Sequence, residues 1–75
     1  MISENAKIGK NVNIHPLALI EDNAIIGDNT KIGPFCIIRN NAKIGSNCSF
    51  TAYCEIRENV IIGDGTSFGR GFGFS

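Results

Sequence analysis

A six-residue period runs through this chain without one insertion. An aliphatic residue or Phe opens each unit, at Ile2, Ile8, Ile14, Ile20, Ile26, Ile32, Ile38, Ile44, Phe50, Ile56, Ile62 and Phe68. Four residues further on stand Ala6, Val12, Ala18, Ala24, Thr30, Cys36, Ala42, Cys48, Cys54, Val60, Thr66 and Phe72, all small except the last. A fixed short period is the signature of a solenoid, because one repeat cannot bury its apolar face alone and must stack on its neighbours. Residues 1–75 therefore read as one all-β domain whose core is a set of columns.

A second period, of eighteen, lies over the first. The three residues between opener and small position rotate through three kinds of corner. Ser3-Glu4-Asn5, Glu21-Asp22-Asn23, Arg39-Asn40-Asn41 and Arg57-Glu58-Asn59 all close on Asn. Gly9-Lys10-Asn11, Gly27-Asp28-Asn29, Gly45-Ser46-Asn47 and Gly63-Asp64-Gly65 all open on Gly. The third set is His15-Pro16-Leu17, Gly33-Pro34-Phe35, Thr51-Ala52-Tyr53 and Gly69-Arg70-Gly71. Three corners in strict rotation predict a triangular coil of eighteen residues stacked about four times. Gly and Asn suit such corners because they tolerate positive φ most readily, and stacked Asn side chains are expected to form hydrogen-bonded ladders.

Short extended segments between the corners alternate inward and outward. The inward openers then stack as Ile2, Ile20, Ile38 and Ile56, as Ile8, Ile26, Ile44 and Ile62, and as Ile14, Ile32, Phe50 and Phe68. Small columns between them let a narrow interior reach native packing density. Cys36, Cys48 and Cys54 all occupy the small positions and read as buried, reduced thiols, which points to the cytoplasm. Cys36 and Cys54 lie one coil apart, within reach of a disulfide.

Charge narrows the partners. Seven basic and seven acidic residues leave a net charge of zero, which gives no electrostatic footprint for nucleic acid. No apolar run approaches the roughly 20 residues of a membrane-spanning helix, so no membrane insertion is expected. The N-terminus lacks the basic and apolar segments of a signal peptide.

Function is best sought on the outward positions. Asn13, Lys31, Ser49 and Ser67 make one solvated face; Lys7, Ile25, Lys43 and Ile61 alternate on a second. The third carries Leu17, Leu19, Phe35, Ile37 and Tyr53. A contiguous apolar patch of this kind marks an interaction surface, and a partner subunit is the expected occupant. At the C-terminus, residues 68–75 read either as an aromatic and glycine cap, with Phe72 over Cys54 and Phe74 over Ile56, or as a point where a longer solenoid is cut.

The run of aliphatic opener, turn residues and small residue over residues 2–73 resembles the hexapeptide-repeat family. That resemblance implies a left-handed parallel β-helix, the handedness coming from the likeness alone because parallel crossovers are otherwise right-handed. It also implies a homotrimer. The segments Ile14-His15-Pro16-Leu17-Ala18 and Ile32-Gly33-Pro34-Phe35-Cys36 are similar to the opening coils of acyltransferases of lipid A biosynthesis. Gly71-Phe72-Gly73-Phe74 is similar to a loop of their N-acyltransferase branch, with Arg70 standing where that loop has Asp.

In that family a His acts as general base on a sugar hydroxyl or amine, which attacks the thioester of acyl-CoA or acyl carrier protein. Here His15 is the one histidine, and it matches the opening motif rather than the catalytic one. It is a weak catalytic candidate and otherwise a corner residue. No tightly bound cofactor and no metal site are expected: one His does not supply a zinc set, and the cysteines face inward on different coils or faces. Two functions follow, an acyltransferase acting on a sugar or sugar nucleotide, in whole or as an incomplete or inactive piece, and a non-catalytic trimerisation module.

Overall fold

The computed structural model describes residues 1–69 and, as backbone, the strand Gly73–Phe74. Its strands are two residues long and parallel, and they stack into three sheets. One sheet contains Lys7–Ile8, Ile25–Ile26, Lys43–Ile44 and Ile61–Ile62; the next, Asn13–Ile14, Lys31–Ile32, Ser49–Phe50 and Ser67–Phe68. The third contains Leu19–Ile20, Ile37–Ile38, Glu55–Ile56 and Gly73–Phe74. Every pairing joins residues eighteen apart, for example Lys7 with Ile25 and Ile32 with Phe50. Three full turns separate Lys7 from Ile61, so each sheet is four strands deep. The fold is a parallel β-solenoid, and the described residues contain no helix.

Strands this short hold together because each outward residue donates its N–H to the coil above. Lys7 donates to the Ala24 carbonyl at 2.8 Å, Ile25 to Ala42 at 2.9 Å and Lys43 to Val60 at 2.9 Å. The openers point inward: Ile20, Ile26, Ile38 and Ile56 are essentially inaccessible, as are Ala18, Ala24, Cys36, Ala42, Cys48 and Cys54 between them. Burying one such aliphatic side chain stabilises the fold by about 1.5–3 kcal/mol. Phe50 and Phe68 stack at 5.1 Å within their column. The cysteines are buried free thiols, and burial, beside Cys54 one coil away, pushes the Cys36 thiol up. Thr30, the buried polar residue among the described ones, donates from its hydroxyl to the Gly45 carbonyl at 2.8 Å and accepts the Cys48 N–H at 3.3 Å.

The corners divide the labour between Gly and Asn differently from the sequence expectation. Positive φ falls on the third residue of the corner, at Asn11, Asn23, Asn29, Asn41, Asn47, Asn59 and Gly65. The opening glycines serve close approach instead. A Cβ on Gly9 would meet Asp28 Oδ1 at 2.3 Å, and one on Gly45 would meet Asp64 Oδ1 at the same distance. Those carboxylates fold inward to accept backbone N–H groups from the coil below, Lys10 to Asp28 and Ser46 to Asp64, both at 2.8 Å. The ladder at this corner is thus built by Asp and Ser side chains on backbone. The Asn corners are joined through main chain, with Asn29 N–H on the Lys10 carbonyl at 2.9 Å and Asn47 N–H on Asp28 at 2.8 Å. The Asn side-chain ladder expected from sequence does not form among the described residues.

At the C-terminal end, Phe74 pairs with Ile56 in backbone register. Phe72, and with it the expected contact over Cys54, lies outside the described residues.

Candidate functional site

The corner carrying Pro and aromatic residues is where the chain departs from its own rules. Phe35 and Tyr53 occupy the third corner position and take φ of 60° and 56°, the region that Asn and Gly fill elsewhere. A side chain with an ordinary Cβ is disfavoured there by about 1–2 kcal/mol. Both conformations are fixed by coil-to-coil bonds: Phe35 N–H donates to the Leu17 carbonyl at 3.3 Å and Tyr53 N–H to Pro34 at 3.1 Å. The two rings then lie nearly parallel, 5.1 Å apart, a contact worth about 0.5–1.5 kcal/mol. Even so, both residues remain about half exposed, Phe35 at 49% and Tyr53 at 53%.

Leu17, below them in the column, is 56% exposed. Leu19 and Ile37, the outward residues of the adjoining strands, are half-buried. The five side chains named from the sequence therefore form one ridge along a corner and its flanking sheet. Above Ile37 the column turns charged. Glu55 receives Arg39 Nε at 3.1 Å while Arg39 Nη1 reaches Glu21, also at 3.1 Å, so one guanidinium clips three coils. The hydrogen bonds that Arg39 donates to Glu55 and then to Glu21 raise its pKa. Arg39 escaped the sequence reading, although the eighteen-residue period already places it in one column with Glu21. The apolar ridge is thus bordered by paired charges.

His15 sits at the foot of the same corner, in the first coil. The third-position N–H, which at Phe35 and Tyr53 donates to the coil below, does not do so at Leu17 of the first described coil. It bends instead onto His15 Nδ1, at 3.1 Å. A neutral imidazole accepting at Nδ1 carries its hydrogen on Nε2, so the outward nitrogen is a donor. General-base chemistry would require His15 to give up Leu17 first. Among the described residues, no group of three His, Cys, Asp or Glu side chains is placed to hold a metal, and no helix is long and apolar enough to cross a membrane.

Residues 5–40 and 23–57 match the family model described as bacterial transferase hexapeptide (six repeats). The chain belongs to that family. The two matches together contain His15, Leu17, Leu19, Phe35, Ile37 and Tyr53, so the ridge is built on the family's repeat itself and not on an appendage. No match was found among curated proteins. In this hexapeptide-repeat chain, the side chains that depart from the repeat's own logic are the exposed aromatics of one corner.

Proposed function

We propose that this chain is a coil module of an acyltransferase that works as a homotrimer, with the Leu17, Leu19, Phe35, Ile37 and Tyr53 ridge as the subunit contact. The observation that carries the reading is the pair of exposed aromatics held at positive φ, a conformational cost that burial in a partner would repay. Closure by three-fold symmetry lets one patch per chain be satisfied without an open-ended fibre.

Family membership supports the transfer chemistry. A hydroxyl or amine of a sugar or sugar nucleotide would attack the thioester carbonyl of acyl-CoA or acyl carrier protein; the new C–O or C–N bond forms, the C–S bond breaks, and the thiol leaves with the acceptor's proton. Backbone N–H groups at a subunit seam would stabilise the oxyanion formed on the way. The second reading is a non-catalytic trimerisation module, and the His15 geometry favours it, since the outward imidazole nitrogen is a donor.

Molar mass by light scattering, on the chain and on Phe35→Asp, tests the assembly. The expected result is three chains per particle, falling to one in the variant with an unchanged circular dichroism spectrum. A monomeric parent chain, or a variant that stays assembled, rules out the ridge as the interface. A trimer that releases no thiol from acyl-CoA in the presence of sugar nucleotides would select the module over the enzyme.

A further inference from the structure

We infer that the cleft on the Asn13–Lys31–Ser49 face, beside the corner of His15 and Pro16, is a binding site for the oxyanion of a small phosphorylated or carboxylated organic molecule. The cleft has a volume of about 450 Å³. From sequence this face reads as merely solvated; the structure makes it concave. Asn13, Lys31 and Ser49 follow one another in strict register, one per coil, and coils repeat at roughly 4.8 Å. The column therefore offers an amide, an ammonium and a hydroxyl over roughly 10 Å, with the ammonium of Lys31 in the middle for an oxyanion and the other two for the rest of a small molecule. His15 adds a fourth donor, because the bond from Leu17 to Nδ1 leaves Nε2–H as its free polar group.

None of these four groups is spent on the protein. Among the described residues Lys31 takes part in no ion pair, and neither the Asn13 amide nor the Ser49 hydroxyl has a hydrogen-bond partner within the chain. The charge layout adds to this. All seven acidic side chains of the sequence lie elsewhere: Glu4, Glu21, Asp22 and Glu58 at the first corner, Asp28 and Asp64 at the Gly corner, and Glu55 on the apolar face. Asp28 and Asp64, nearest to this face in sequence, are turned onto backbone N–H groups. A cation flanked by donors, with no carboxylate on its own face or on the adjoining aromatic corner, favours an anion. Pro16 also lines the cleft, so the ligand has room for a carbon skeleton against apolar atoms at that corner.

The site needs one chain only, which separates it from the proposed assembly. Nuclear magnetic resonance titration with inorganic phosphate, at constant ionic strength set by chloride, reads it directly. Saturable shifts confined to Asn13, His15, Lys31 and Ser49 are expected, with at least a tenfold loss of affinity in Lys31→Gln. His15→Asn should weaken binding by a smaller factor while keeping the corner, since an Asn side chain can accept the Leu17 N–H in place of Nδ1. A parallel titration with acetate distinguishes the sources: tighter phosphate binding assigns a phosphoryl ligand, tighter acetate a carboxylate. Linear shifts without saturation, or equal shifts at Lys7 and Lys43, overturn the proposal. So does a Phe35→Asn variant that folds as a monomer, with no added charge, and no longer binds.

Discussion

The Asn corners and the aromatic corner have the same backbone and opposite side-chain logic. At Asn41 and Phe35 the chain takes φ of 63° and 60°, and in both places the N–H donates to a carbonyl of the coil below. Asn meets that geometry at low cost, because its short polar side chain suits the left-handed region. Phe meets it against its preference and stays half exposed. Equal geometry reached with unequal ease shows that the coil fixes the conformation; under the proposed assembly, the residue type at the aromatic corner would answer to a partner subunit. Strain held at an exposed position is a pointer to function, whereas the Asn columns need no reading beyond the fold.

The largest effect is expected where both corners lose their common frame. Ile44 is 3% exposed in the central column, and Ile44→Asp buries a charge with no partner. The loss should exceed about 4 kcal/mol, enough to unfold so small a domain. Circular dichroism should show no cooperative melt, and a native-like melt would mean that the columns tolerate water.

Next comes a test of whether close contact between coils fixes the aromatic corner, with a glycine of the last described coil as the open reference. A Cβ on Gly33 would lie 1.4 Å from the Thr51 carbonyl oxygen, whereas one on Gly63 meets nothing within 4 Å. Gly33→Ala should therefore cost about 3 kcal/mol or more, and Gly63→Ala should be close to neutral. Urea midpoints compare the two. Equal midpoints would show that the coils can spread at the Pro corner, and the enforced φ at Phe35 would lose its cause.

Exchanging the residues themselves sharpens the contrast. In Phe35→Asn, relief of about 1–2 kcal/mol of backbone strain is offset by loss of about 0.5–1.5 kcal/mol of ring stacking. The fold should hardly change, while assembly should weaken by some thirtyfold per contact, the effect of a ~2 kcal/mol hot spot. The reverse exchange, Asn41→Phe, introduces the strain with no stacked neighbour, and should cost the fold about 1 kcal/mol without touching assembly. Denaturant melts and sedimentation separate the two readouts. A Phe35→Asn chain that assembles like the parent would leave the aromatics with no role beyond their own corner.

Periodicity made most of this fold readable. Side chains at positions six apart must face inward together, and positions eighteen apart must stack, so columns, corner types and the five-residue ridge all follow from counting. Counting stops at geometry that depends on close approach. Both Gly and Asn are turn residues by composition, and only packing shows that Asn47 carries the positive φ while Gly45 makes room for Asp64. Lys31 illustrates the same limit at the candidate site. Its type and face are legible, but the concavity around it depends on how His15 and Pro16 stand out from the corner, which no spacing encodes. The role of His15 is legible only in part, because which ring nitrogen accepts the Leu17 N–H is a matter of side-chain geometry.

The smallest expected effect concerns charge at an Asn corner, where side chains are satisfied locally. Glu58 is held below the usual carboxylate range first by its own main-chain N–H and then by the Arg57 guanidinium, whose Nε lies 3.0 Å from Oε1. A depressed carboxylate contributes stability above its unfolded value and loses it as pH falls through the lower, folded one. The affected window therefore lies below the ordinary glutamate range, and neutral pH is untouched. Carbon-detected titration should show Glu58 ionising below that range, and Arg57→Gln should raise it only part of the way, because the main-chain donor remains. A return to the ordinary value in Arg57→Gln would assign the whole shift to the ion pair. No change at all would assign it to the backbone, and the charges at this corner would then be as incidental to the coil as Asn59 beside them is essential to its turn.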